Sequence, residues 1–308
     1  MRAFIFPGQG SQAVGMGAAL AEASRAAKDV FDEVDEALGQ NLFRLMRDGP
    51  DEELKLTENA QPAIMAHSIA VVRTMGVRLA DVASFVAGHS LGEYSALCAA
   101  GSFDLATSAK LLKLRGQAMQ QAVPVGEGAM AALLGADLAL AQRIAEAAAE
   151  GEVCTVANDN DPSQVVISGQ KSAIDRAIAL AKDMGAKRAV PLPVSAPFHC
   201  SLMQPAAEAM RDALSNVVVT VPAVPVFANV SAQPESDPDT IRNQLVEQVT
   251  GMVRWRESVA NMFDAGVHEF VEIGAKVLGS MVKRIAPDAT VTSVVTIEDV
   301  EAAAKEIA

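Results

Sequence analysis

The five residues Gly88-His89-Ser90-Leu91-Gly92 constrain the fold more than any other stretch of the chain. The apolar run Phe85-Val86-Ala87 leads into them, and residues with helical spacing follow from Glu93 to Leu97. A serine at a sharp strand-to-helix turn sits in strained backbone, so its neighbours must lack side chains. Such a turn thrusts Oγ of Ser90 outward and aims the first amides of the helix at whatever the hydroxyl attacks. The Leu91 amide can then hold a developing oxyanion, helped by the helix dipole. G-x-S-x-G between a strand and a helix marks a nucleophile elbow on an α/β sheet; a turn that merely joins the two elements is the plainer alternative.

The rest of the chain suits that setting. Helical patterns alternate with short Val/Ile/Phe runs, which predicts an α/β fold. Arg2–Phe6 reads as a first buried strand, with the loop PGQGSQ after it. Residues 15–38 read as one helix, and residues 56–76 hold another, with Pro62 in its first turn. From residue 124 the order strand–helix–strand–strand–helix–strand occupies about 70 residues, with DNDP at 159–162 taken as a turn. The expectation is a discontinuous large domain, 1–123 and 198–308, with a mostly parallel central sheet. A small βαββαβ subdomain of ferredoxin-like type is inserted at 124–197. VPVFANV and VHEFVEIG are expected to add two more buried strands to the large domain.

Composition narrows the function. The net charge of −13 and an aromatic content of 4% argue against nucleic acid as a partner. No uncharged apolar run approaches the ~20 residues of a membrane span, and the first residues lack an export signal. Cys98, Cys154 and Cys200 are far apart and lack metal-ligand spacing, so reduced thiols in a cytoplasm and no metal are expected.

A serine hydroxyl needs a base. Of the four histidines, His89 adjoins Ser90 and should point elsewhere, His67 lies in a helix pattern and His268 opens a strand. Elimination favours His199, in the loop SAPFHCSLM. No Asp or Glu stands in a recognisable triad position, and a backbone carbonyl would fix the tautomer instead. Arg115, read alone, is a charge on a helix surface. The Gly-rich loop PGQG lacks the spacing of a phosphate cradle and reads better as an oxyanion loop.

FPGQGSQ at 6–12, GHSLGEYSAL at 88–97, LRGQAM around Arg115, SAPFHC at 195–200 and VEIGAKVL at 271–278 together resemble the malonyl-CoA:acyl carrier protein transacylases of bacterial type II fatty acid synthesis. The resemblance runs over nearly the whole chain. It implies a hydrolase-like α/β large domain and a ferredoxin-like small one. It implies Ser90 as the acylated residue and His199 as its base. The Gln9 amide joins that of Leu91 in the oxyanion hole, Arg115 holds the free carboxylate of malonate, and the Gln248 main-chain carbonyl orients His199. Malonyl-CoA and the phosphopantetheine of holo-acyl carrier protein are then substrates. No cofactor is implied, and the enzyme is expected to act as a monomer in the cytoplasm. Phe198 is expected to crowd a branched acyl group. Lys187-Arg188 and Lys276, Lys283 and Arg284 are expected to flank the cleft and dock the carrier. The alternatives are transfer of another acyl group, a serine thioesterase or hydrolase, and a non-catalytic scaffold for carrier protein.

Overall fold

The computed structural model describes residues 1–307. Ten strands form two sheets: β1 (Arg2–Phe6), β2 (Phe85–Gly88), β3 (Gly128–Leu134), β4 (Cys154–Asp161), β5 (Gln164–Gln170), β6 (Arg188–Pro191), β7 (Val226–Phe227), β8 (Pro234–Glu235), β9 (Glu269–Ile273) and β10 (Thr290–Val294). The large sheet has the order β10-β9-β1-β2-β7-β8 and is parallel except for the antiparallel edge strand β8. The second sheet, β4-β5-β3-β6, is antiparallel throughout.

A parallel sheet covered by helices on both faces needs strands that are apolar on both faces. β1 shows this. Phe4 and Phe6 enter one apolar cluster, and Ala3 and Ile5 enter the other. Each large side chain buried here contributes roughly 1.5–3 kcal/mol. The helix Thr57–Met75 is buried nearly all round, as a helix crossing the core must be. The second sheet closes its own apolar cluster with the helices Leu138–Ala149 and Lys171–Ala181, through Leu133, Ile144, Ile167 and Ile174.

Four expectations are corrected. The single helix over 15–38 is two helices, Ala18–Ala23 and Arg25–Leu38. Ser24 separates them in extended backbone, and its Oγ caps the second by accepting from the Ala27 amide. Pro62 lies in the interior of its helix, not in the first turn. The polar run Asp159–Asp161 is buried strand, not turn. Shifts in register at 156/158 and 159/161 turn these side chains toward partners outside the small sheet. VPVFANV pairs only at Val226–Phe227, while β10 and the short β8 join the sheet unforeseen.

The polar strand fastens the small sheet to the helices Trp255–Asp264 and Leu278–Ile285 of the large body and to the loop before them. The carboxylate of Asp159 accepts from Arg256 and that of Asp161 from Arg284. The Asp159 amide donates to the Val253 carbonyl and the Val253 amide to that of Ala157.

Candidate active site

Ser90 directly follows the β2–Gly88–His89 run, at the carboxyl ends of the parallel strands. Its φ of 54° is left-handed, a conformation that costs about 1–3 kcal/mol in a residue with a side chain. The flanking glycines are sterically required. A Cβ on Gly88 would lie 1.9 Å from the Gly92 carbonyl, and one on Gly92 would lie 2.3 Å from the Phe6 carbonyl oxygen. Asn229, just beyond β7, ties the turn down. Its Oδ1 accepts from the Ser90 amide at 2.8 Å and its Nδ2 donates to the Gly88 carbonyl at 2.7 Å. His89 points away from Ser90 and meets Asn160 Oδ1 through Nε2 at 2.8 Å.

His199 also has left-handed backbone, with φ 57°. Its Nε2 lies 2.8 Å from Ser90 Oγ. Its Nδ1 faces two carbonyl oxygens, those of Gln248 at 2.9 Å and Gly251 at 3.1 Å. Two acceptors at Nδ1 demand N–H there, which leaves the Nε2 lone pair for the serine proton. Among the described residues, no carboxylate is a hydrogen-bond partner of His199. Burial, and then the charge of Arg115, hold its pKa down to about 3.

Arg115 is no surface charge. It is 1% exposed, on the helix Leu105–Gln121. Its guanidinium donates to Gln61 Oε1 at 2.8 Å, to Gln248 Oε1 at 2.8 Å and to Ser90 Oγ at 3.2 Å. Every one of these acceptors is neutral, and Nε is buried without a partner among the described residues. A buried guanidinium so placed can take an anion. The amides of Gln9 and Leu91 donate to no other group among the described residues, and both residues line the same cleft as Ser90. The Gln9 side chain accepts from Thr57 Oγ1 at 2.8 Å.

The cleft has a volume of about 410 Å³ and draws its walls from the small sheet and from loops and helices of the large body. Met130 and Asn158 come from the small sheet, Leu192 to Val194 from the segment after β6, and Phe198 and Met119 from the large body. The geometry thus brings together Ser90, His199, Gln9, Leu91, Arg115 and Gln248. It adds groups to which the sequence reading gave no role: Asn229, Gln61, the buried Glu93 and, at the rim, Lys55. Glu93 lay inside a motif already singled out, and a carboxylate within an otherwise apolar helix was a usable signal. Nothing in the sequence near Asn229 announces it.

The expected basic clusters divide. Arg284 is committed to the buried Asp161. Lys283 donates to the Ala289 carbonyl, at the amino ends of the parallel strands and so opposite Ser90. Lys276 faces Asp299 at 3.6 Å. Arg188 opens β6, which runs toward the cleft-lining residues Leu192 to Val194. The thiols are poor rivals to Ser90: burial pushes Cys98 and Cys154 up to about 11, and Cys200 donates to the Pro197 carbonyl.

A serine–histidine pair on an elbow, with free amides beside it and an α/β sheet beneath, defines an acyl-transferring enzyme. Residues 3–298 match the family described as the acyl transferase domain, and the chain belongs to that family, among its malonyl-CoA:acyl carrier protein transacylases. The malonyl CoA-acyl carrier protein transacylase of Escherichia coli (strain K12) is 46% identical over 292 residues, 94% of each chain. The crystal structure of an acyl-carrier-protein S-malonyltransferase from Bartonella henselae is 53% identical, with a TM-score of 0.97 over 99% of both chains. A malonyl-transacylase solved in complex with its type II PKS acyl-carrier protein is 41% identical, with a TM-score of 0.96 over 99% of both chains.

Proposed function

We propose that this enzyme transfers malonyl from malonyl-CoA to the phosphopantetheine thiol of holo-acyl carrier protein, supplying fatty acid synthesis. The reading is carried by one observation: Ser90 Oγ lies within hydrogen-bond distance of both His199 Nε2 and the Arg115 guanidinium. Oγ attacks the thioester carbon as its proton passes to Nε2. The carbonyl oxygen takes the negative charge and is held by the amides of Gln9 and Leu91. Collapse expels the CoA sulfur, which takes the proton back from His199, and malonyl remains on Ser90. The pantetheine thiol then repeats the two steps in reverse, with no net change in protons.

Arg115 explains the choice of acyl group. In a malonyl ester, one methylene separates the ester carbonyl from the free carboxylate. That carboxylate therefore lies close to Oγ, and the guanidinium 3.2 Å from Oγ can hold it. Phe198, buried at the cleft wall, leaves little room for a branch on the methylene. The reaction needs no metal or organic cofactor. We further take residues 124–197 as the inserted subdomain, 1–123 and 198–308 as the catalytic body, and one chain as the working unit. The small sheet lies wholly within 128–191.

The test is incubation with malonyl-CoA, with and without holo-carrier protein. Malonyl-enzyme that persists in water and discharges onto the carrier is the expected result. Rapid release of free malonate without acceptor makes the protein a hydrolase, and absence of acyl-enzyme makes it a scaffold.

A further inference from the structure

Glu93 lies in the first turn of the helix Gly92–Ala99, three residues past Ser90, and is 2% exposed. A buried carboxylate is costly unless donors fill its lone pairs. Here Oε2 accepts from Gln248 Nε2 at 2.7 Å and from the Asn229 amide at 3.1 Å. Both donors belong to residues that hold the elbow. Gln248 Nε2 also donates to the Ser90 carbonyl at 3.0 Å, and Asn229 Oδ1 accepts from the Ser90 amide.

No hydrogen bond joins Glu93 to Arg115 among the described residues. The Gln248 amide stands between them, with its nitrogen on Glu93 and its oxygen on Arg115. An amide has one donating end and one accepting end. Turned over, Gln248 would set NH₂ against the guanidinium and oxygen against both the carboxylate and the Ser90 carbonyl. A carboxylate in direct contact with Arg115 would fill the fork that a substrate carboxylate needs, whereas a neutral amide oxygen is a weaker occupant and yields.

We propose that Glu93 is a positioning residue for the Arg115 clamp: by accepting from Gln248 it fixes the end of that amide presented to the guanidinium and keeps the fork open to malonyl. The inference rests on the reading of Arg115 as the carboxylate clamp. What matters is an acceptor oxygen at this place. Burial pushes the Glu93 carboxyl up to about 7, and the neutral carboxyl still offers its carbonyl oxygen to both donors.

The test compares kcat/KM for malonyl-CoA and acetyl-CoA, with competent sites counted by the burst of acylated Ser90. Glu93→Ala lowers the malonyl-to-acetyl ratio roughly tenfold or more, mainly through KM for malonyl-CoA. Glu93→Gln, which keeps an acceptor oxygen, holds the ratio within about threefold of the parent. Gln248→Met cuts the same link from the other end, leaves the main-chain carbonyl in place and reproduces the fall. It decides between the outcomes if Glu93→Ala does not fold. A merely structural Glu93 would reduce the number of competent sites and leave the ratio alone. An unchanged ratio in Glu93→Ala and Gln248→Met, where Arg115→Ala collapses it, overturns the proposal and leaves the clamp standing. A ratio that Arg115→Ala also fails to move overturns the clamp and the proposal together. Glu93→Gln as poor as Glu93→Ala makes charge, not the acceptor, the decisive property and overturns the positioning account.

Discussion

The main-chain carbonyl oxygen of Gln248 lies 2.9 Å from Nδ1 of His199, where a triad would place a carboxylate. A carbonyl fixes the tautomer as well as a carboxylate does, but it brings no negative charge to stabilise an imidazolium. The histidine is therefore held neutral by burial and by the charge of Arg115.

The pH profile of acylation follows from this. The acid limb of kcat/KM for malonyl-CoA is expected well below the ordinary imidazole range, since the base loses its lone pair only near its depressed pKa of about 3. Rates measured from pH 5 to 8 by rapid quench check it. A limb centred near 6.5 would mean that His199 is solvated in the working enzyme.

Ser90 is the residue expected to carry the acyl group. Brief exposure to malonyl-CoA followed by peptide mass spectrometry should place one malonyl on the peptide spanning Gly88–Gly92. Ser90→Ala should abolish it, because the thiols, buried or half-buried, keep their protons at neutral pH. Label on Cys98 or Cys200 that survives in Ser90→Ala would defeat the assignment.

Arg115→Ala is expected to lose malonyl transfer and gain relatively on acetyl. Acetyl leaves the buried guanidinium without an anion, at a cost of about 2–5 kcal/mol, or roughly 30-fold to several thousand-fold in discrimination. The two substrates' kcat/KM values, taken on one preparation, read this directly. An unchanged ratio removes Arg115 from the acyl site.

Stability should fall as the solution is acidified below neutrality, with His67 contributing. Its Nδ1 is buried without a partner among the described residues, and burial holds its pKa down to about 4 from 6.5. The folded pKa is depressed, so the neutral form's contribution is complete above 6.5. It is lost as pH falls from 6.5 toward 4, where the unfolded chain binds the proton and the folded one does not. The full effect is roughly 3 kcal/mol. Denaturant midpoints for the parent and His67→Gln between pH 4 and 7.5 should show a shallower slope in the variant; parallel slopes would refute the assignment.

Arg284 and the rim lysine Lys55 should separate in a docking experiment. Arg284→Met leaves the carboxylate of Asp161 in the interior without its cation, held by the Ser163 amide and hydroxyl alone, and should cost roughly 2 kcal/mol of stability, less than a fully buried pair because Arg284 is half exposed. Its transfer rate per folded molecule should match the parent. Lys55→Glu, and charge reversal at Lys187-Arg188, should instead slow transfer to carrier protein, spare transfer to free pantetheine and lose their effect in salt. Equal rates in both variants at low salt would move the docking surface elsewhere.

The sequence by itself determined the α/β class and the elbow, and it offered Ser90 as the candidate nucleophile with no Asp or Glu in a recognisable triad position. These rest on local rules: a turn that only glycine permits at Gly88 and Gly92, and side-chain periods that reveal which faces are buried. His199 could be singled out only by elimination, and a resemblance was needed to attach Arg115, Gln9 and Gln248 to it. Depth was invisible to the sequence. Arg115 reads as a helix-surface charge until Tyr94, Gln61 and Gln248 close over it. Asp159–Asp161 reads as a turn because polar residues favour turns, yet Arg256, Arg284 and His89 satisfy its side chains from elements about 70 to 120 residues away. Partners that remote are chosen by the tertiary arrangement, and a buried polar group makes sense only once its partners are known.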